Sequence, residues 1–490
     1  MTMVSSTQAP TLLWLRQCLR LSDNPALEAA LNRGGPVIPI FIWNPEAEGE
    51  WAPGGATRWW LHQSLASLMA DLTSVGSQLI LRHGDAATVL SGLVAETGAT
   101  AVLTDRRYEP SARRQGQAVQ SHLHSLGVPV VPVGCNVLFE PGQVLNRAGE
   151  PYRVFSQFWK TIQREHQPSP PLPKPAKLAA PAQWPQSLPL AALKLEPTID
   201  WAGGLRQTWQ VGEAAGHRLL NQFCEQTMGT YQTTRNLPDR LGTSRMSPYL
   251  HFGEISPRQI WYAVAERLPL LSKEAKASAE CYLREIAWRE FAHQLLYFFP
   301  HTANRPLRPE FEAFPWKTDP EALSTWQQGK TGYPIVDAGM RELWQTGWMH
   351  NRVRMIVASF LVKDLLQPWQ EGARWFWDTL VDADLANNTL GWQWTAGCGA
   401  DAAPYFRVFN PVLQGEKFDP NGIYVRRWVP ELASLTNAQI HRPWEIPPLT
   451  AHSLGVRLGN TYPSPMVDHF QARDAALAAF AEIKQSVAHT

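Results

Sequence analysis

Cysteine is scarce and scattered. The five thiols, at positions 18, 135, 224, 281 and 398, are odd in number and form no C-x-x-C pair. That disfavours the disulfide framework of a small secreted domain and the ligand spacing of a structural zinc site. Long apolar runs are missing as well: no stretch approaches the roughly 18 apolar residues that cross a bilayer. The opening MTMVSSTQAP has no charged segment followed by an apolar one. A cytoplasmic chain without a membrane partner is the expectation. Neither sign of charge dominates, with 44 Lys and Arg against 43 Asp and Glu. A nucleic-acid partner would therefore meet a local basic surface, because the chain as a whole offers none. No G-x-G-x-x-G follows the first strand-like run, so the dinucleotide fingerprint is absent from the N-terminal part.

Tryptophan, by contrast, is plentiful: 22 side chains offer large apolar surface, a stacking face and an oxidisable ring. At 490 residues the chain exceeds a single core, and two or three domains are expected. Short β-type runs recur as LLWL (12–15), VIPIFIW (37–43), QLILR (78–82), TAVLT (100–104) and VPVVPV (128–133), with helical patterns over 25–32, 57–72 and 111–126. This alternation predicts a doubly wound parallel sheet over 10–138. The proline-rich QPSPPLPKPAKLAAPAQWPQSLPL (167–190) marks a linker, placed at 139–204. From 205 to 485 the pattern is helical, with long segments at 279–299 and 350–366. The fold class is thus α/β plus all-α.

Three stretches could carry chemistry. GTSRMSPYL (242–250) offers the hydroxyls of Thr243, Ser244 and Ser247 beside Arg245 at a helix start, which suits phosphate oxygens but equally describes ordinary capping. In 279–299, Glu285, Trp288 and Ala292 share a face with Arg289 beside them. In 350–366, Asn351 and Met355 share a face flanked by Arg352 and Arg354. Either face alone is also compatible with core packing. DADLANNTLGWQW (382–394) places Asp382 and Asp384, then Asn387 and Asn388, then Trp392 and Trp394 in thirteen positions. No further ligands at metal spacing accompany the acids, so a metal site is not expected. Acid and amide together suit a planar heterocycle with mixed donor and acceptor edges.

GTSRMSPYL, EIAWREF, KTGYPIVDAGMRELWQTGWMHNRVRM, DADLANNTLGWQW and APYFRVFNP together resemble the photolyase/cryptochrome family, most of all its bacterial class III cyclobutane pyrimidine dimer photolyases. The resemblance implies a helical FAD domain behind an α/β antenna domain, and light-driven DNA repair. Excited reduced FAD passes an electron to a flipped-out dimer, the cyclobutane bonds split, and the electron returns. It implies that Tyr231 and the segment Thr243, Ser244, Arg245, Met246 and Ser247 hold the FAD phosphates and ribose, with Arg289 alongside. Asp384 would face the isoalloxazine edge, Arg354 would pair with Asp382, and Asn388 would sit at flavin N5. Glu285 would hydrogen-bond the dimer. Trp288 and Trp394 would wall it, Met355 would lie beneath, and Arg235, Asn351 and Arg352 would line the mouth. Trp392, Trp369 and Trp316 match the family's electron-transfer chain to the surface. The antenna pigment implied is methenyltetrahydrofolate, with Glu109 in RRYEP as its contact.

One departure stands out: where the family continues its first strand as Arg-Arg-Asp-Leu-Arg, this chain reads Arg16-Gln17-Cys18-Leu19-Arg20. The loss of a charged pair there leaves the local ion pairing of the antenna domain open. A cryptochrome-type photoreceptor without repair is the first competing reading. Asn388 in place of aspartate, the retained Trp394 and the absence of a long tail oppose it. Repair of (6-4) photoproducts is opposed by Asn351 where a histidine is expected, and a general flavin oxidoreductase by the lack of a nicotinamide site. The expected partner is dimer-bearing DNA, bound by a monomer without an obligate protein partner.

Overall fold

The computed structural model describes residues 8–402 and 407–488. Five aliphatic runs become the strands β1 (Thr11–Leu15), β2 (Val37–Trp43), β3 (Ile80–His83), β4 (Ala101–Asp105) and β5 (Val130–Val133). They pair in parallel in the order β3-β2-β1-β4-β5. The apolar character of β1, β2 and β4 matches their burial on both faces. Pro39 is tolerated inside β2 because the pairing with β3 begins only at Ile40.

Helices α1 (Pro25–Leu31), α2 (Gly55–Ser74), α3 (Ala86–Thr97) and α4 (Pro110–Ser125) connect and cover the strands. Asn24 and Asp85 cap α1 and α3 by accepting the N–H of Leu27 and Thr88. The strand order reverses between β1 and β4, which opens a crevice at their carboxyl ends.

The connecting segment contains α5 (Phe155–Glu165) and then runs extended across the α/β unit. Backbone bonds pin it there: Asp23 to Leu172, Leu178 to Val75 and Leu188 to Leu81. Four later helices build the site: α6 (Lys273–Phe298), α7 (Asn351–Ser359), α8 (Trp369–Thr379) and α9 (Leu385–Ala396). The helical pattern over 350–366 is not one helix. After Ser359 the chain widens into a π-turn, Phe360–Asp364, ended by Leu366 at φ 53°.

One apolar core joins the sheet to the helical half, with Leu13, Leu15 and Trp60 packed in the same cluster as Tyr249, Ile260 and Tyr282. A second core lies within the helical half around Trp326, Trp369 and Trp392. The Gln17-Cys18 departure is accommodated by its neighbours. Fully buried Arg20 donates to the carbonyls of Asp23, Cys135 and Gly253 and to Asn136, while Arg258 pairs with Asp23 at 2.7 Å. Asp105 accepts the backbone N–H of Arg16 and Gln17 at 2.7 and 2.8 Å. Gly253 (φ 62°) permits this closeness, since a Cβ there would lie 1.9 Å from the Gln17 carbonyl oxygen.

Candidate active site

The four site helices enclose a cavity of about 430 Å³. From α6 come Glu285, Trp288 and Arg289, from α7 Asn351, Arg354 and Met355, and from α8 Phe376. Asp382 and Asp384 line it from the turn before α9, and Asn387, Asn388, Trp392 and Trp394 from α9 itself. Helical spacing explains the convergence: residues three and four apart share one face of each helix. Arg235 reaches the cavity from a separate short helical stretch.

Each acid has a defined partner. Arg354 donates from Nη2 to both oxygens of Asp382, at 3.0 and 2.8 Å, and from Nε to the Met349 carbonyl. Asp384 is the N-cap of α9 and accepts the backbone N–H and the side-chain amide of Asn387, each at 2.8 Å. Its other oxygen lies 3.4 Å from His293 Nε2. Burial alone would raise the Asp384 pKa, but His293, Arg289 and His251 outweigh it and hold the carboxyl well below the usual carboxylate range. His293 is the counterpart: burial pulls it down, yet Asp384 leaves it above the ordinary histidine value. The Asn388 amide is fixed by its bond to the Ala373 carbonyl on α8, at 3.0 Å.

At the cavity's edge, Arg235 Nη1 pairs with Glu285 Oε1 at 2.5 Å. The Arg235 guanidinium also lies over the Tyr231 ring, which packs edge-on against Tyr282, and the Tyr282 hydroxyl donates to Ser244 Oγ at 2.9 Å. Ser244 is thereby linked to the cavity, although Tyr231 and the residues Thr243, Ser244, Arg245, Met246 and Ser247 are not among its lining. Arg245, at φ 54°, rests 4.5 Å over Trp348, the indole that also lies 6.0 Å from Arg354. Ser247 opens only a five-residue helix, Ser247–His251. Arg352 points to Asn236 and the Phe418 ring instead of the lining.

Trp392 is buried against Phe376 and Trp326, with ring centroids 5.0 and 6.3 Å apart, and its Nε1 has no partner among the described residues. Trp369 is buried in the same core, and half-buried Trp316 packs on its border against Phe314. The motif residues 403–406 of APYFRVFNP lie outside the described residues.

Sequence reasoning missed His293 and Phe376, and it named Asn387 without giving it a role. His293 stood eight positions after Glu285, on the same helical face, and Asn387 three positions after the capping Asp384. Nothing local marked Phe376, whose role depends on how α8 packs.

A second, smaller cavity of about 100 Å³ occupies the crevice at the carboxyl edge of the sheet. Arg16 and Gln17 after β1, Asn44 after β2, and Arg107 and Glu109 after β4 line it, together with Trp14, Trp43 and His251. Burial raises the Glu109 carboxyl, but Arg107, 3.1 Å away, overrides this and brings it to about 2. His251 is buried and its Nδ1 has no partner among the described residues.

Comparison with known proteins gives the family. Residues 11–176 match the DNA photolyase family, and residues 282–482 match the FAD binding domain of DNA photolyase. The chain is 46% identical to a deoxyribodipyrimidine photo-lyase of Agrobacterium fabrum, over 99% of this chain and all of that protein. It is 40% identical to Cryptochrome-2 of Arabidopsis thaliana, over 97% of this chain and 79% of the relative. A bacterial class III photolyase from Agrobacterium tumefaciens superposes with a TM-score of 0.94 at 45% identity, covering 99% of this chain and all of the other. The chain belongs to the photolyase/cryptochrome family.

Proposed function

We propose that this chain is a deoxyribodipyrimidine photo-lyase that uses FAD to split cyclobutane pyrimidine dimers flipped out of DNA under blue light. The observation that carries this reading is the single cavity onto which Asp384, Asn388, Arg289 and Trp392 converge with Glu285, Trp288, Met355 and Trp394. A cofactor side and a lesion side therefore share one space.

The residues present fit a flavin. The donor set mixes a carboxylate held ionised, an oriented amide and guanidinium groups, around a cavity large enough for a tricyclic ring to enter. Bound there, reduced FAD supplies the light-excitable electron donor. The chain's own residues do the rest. Half-buried Trp288 and Trp394 offer apolar faces to an extruded pyrimidine pair. Flipping costs a few kcal/mol, and stacking of about 1–3 kcal/mol per base offsets it. Glu285, steadied by Arg235, places a polar group at the lesion's edge in a partly desolvated site. Action as a monomer is part of this reading.

The second cavity is the place for an antenna pigment, and methenyltetrahydrofolate is the reading we favour. The carboxylate of Glu109 and the aromatic side chains Trp14, Trp43 and His251 in its lining suit a pterin. The test of function is incubation of the reduced protein with dimer-bearing oligonucleotide in blue light and in darkness. Restored thymines only in the light are expected. Binding without restoration would favour a cryptochrome-type receptor and overturn the proposal.

A further inference from the structure

Trp288 has a stacked partner of its own. Phe155, the first residue of α5, lies flat on the indole with ring centroids 3.7 Å apart and planes inclined by 10°. Phe291, one turn along α6, closes edge-on against both rings, 5.8 Å from Phe155 and 5.7 Å from Trp288. Phe155 is 2% exposed and shares a core with Phe158, Ile162 and Ala287, so it has no room to swing away.

Phe155 thus backs the indole with its ring, from a segment far from it in the sequence. An indole at a cavity edge would otherwise sample several rotamers, and ordering it on binding would weaken the complex.

We propose that Phe155, from the connecting segment, is a positioning residue for lesion recognition. It presets the free face of Trp288 for the flipped pyrimidine pair. This rests on the reading of Trp288 and Trp394 as the walls of the lesion site.

Dark binding of the FAD-loaded protein to dimer-bearing and undamaged oligonucleotides tests it. Phe155→Leu is expected to weaken lesion binding about five- to tenfold, the scale of a lost aromatic pair, with flavin content and affinity for undamaged DNA unchanged. Phe155→Tyr should restore it. In a Trp288→Ala background, Phe155→Leu should cause no further loss. If Trp288→Ala weakens lesion binding while Phe155→Leu does not, the positioning role is overturned and the wall reading stands. If Trp288→Ala binds the lesion as the parent does, the wall reading fails and the positioning role with it. Phe155→Met fills similar volume without a ring, so it carries the test even if Phe155→Leu does not fold.

Discussion

The Asp384 carboxylate and the His293 imidazole face each other at 3.4 Å beside the cavity, each displaced from its ordinary pKa in the direction that keeps both charged. The lowered acid contributes stability above its unfolded pKa of about 4, and the raised histidine contributes it below about 6.5. The pair therefore stabilises most between those values and loses its histidine share as pH rises further. Asp384→Asn should destabilise by about 3 kcal/mol, with the gap in Tm largest near pH 5.5 and smaller at pH 9. A gap independent of pH would contradict the pairing. The same variant should retain less FAD after gel filtration.

Glu285 and Arg235 form a half-exposed pair at the entrance, with side-chain exposures of 28 and 22%. Glu285→Ala is expected to lower the splitting yield per absorbed photon about tenfold, since a charge-assisted hydrogen bond is worth about 1.5–3 kcal/mol. Dark affinity for the lesion should fall less, because the indole walls remain. An unchanged yield would remove Glu285 from the chemistry.

Trp392 lines the cavity, Trp369 is buried behind it in the same core, and Trp316 borders that core with access to solvent. Trp316→Phe should slow photoreduction of oxidised flavin severalfold, read by the loss of flavin absorbance under blue light with an external reductant. Splitting after chemical reduction should be intact. Equal photoreduction in the variant would mean that electrons enter elsewhere.

Much of this was legible because the signals were local. The strands showed in runs such as VIPIFIW, which is β2 from end to end, and the site helices in their apolar spacing. The 382–394 stretch announced acid, amide and indole, and the structure adds that Asp384 is a helix cap. What stayed hidden depends on contacts between distant segments. Phe155 lay in a segment read as linker, and only packing places it against Trp288. The π-turn after Ser359 was invisible too, because its residues keep a helical apolar pattern while the backbone widens by one residue. Resemblance named candidate residues but could not show that Tyr231 meets the lining residue Arg235, or that Ser244 is linked to Tyr231 through Tyr282.

Gly372 on α8 lies against the Trp392 ring so closely that an added Cβ would come within 2.0 Å of it. Phe376 and Trp326 hold the indole from other sides, so it cannot retreat. Helix propensity alone would favour Gly372→Ala by up to about 1 kcal/mol. Overpacking of about 1–3 kcal/mol outweighs that, and net destabilisation is expected together with impaired photoreduction. A variant that melts higher than the parent would show that the ring and the helix are not in this contact.

Glu254 tests the junction between the two halves. It is fully buried, accepts Trp60 Nε1 from α2 at 3.2 Å and the Gly212 N–H at 3.1 Å, and Trp60 in turn packs on Trp209, Tyr249 and Phe252. Burial pushes its carboxyl up to about 8, against hydrogen bonds that pull the other way. Between about pH 4.5 and 8 the unfolded chain has released this proton while the folded chain keeps it, so stability falls as pH rises, by about 1.4 kcal/mol per unit at most. Above pH 8 the charged form is trapped in the junction. Glu254→Gln keeps one of the two acceptor oxygens, at a pH-independent cost, and removes the titration, so the parent should lose Tm relative to the variant from pH 5 to 9. Parallel Tm curves would show that Glu254 is ionised in the folded protein throughout, and that the junction is wetter than its burial implies.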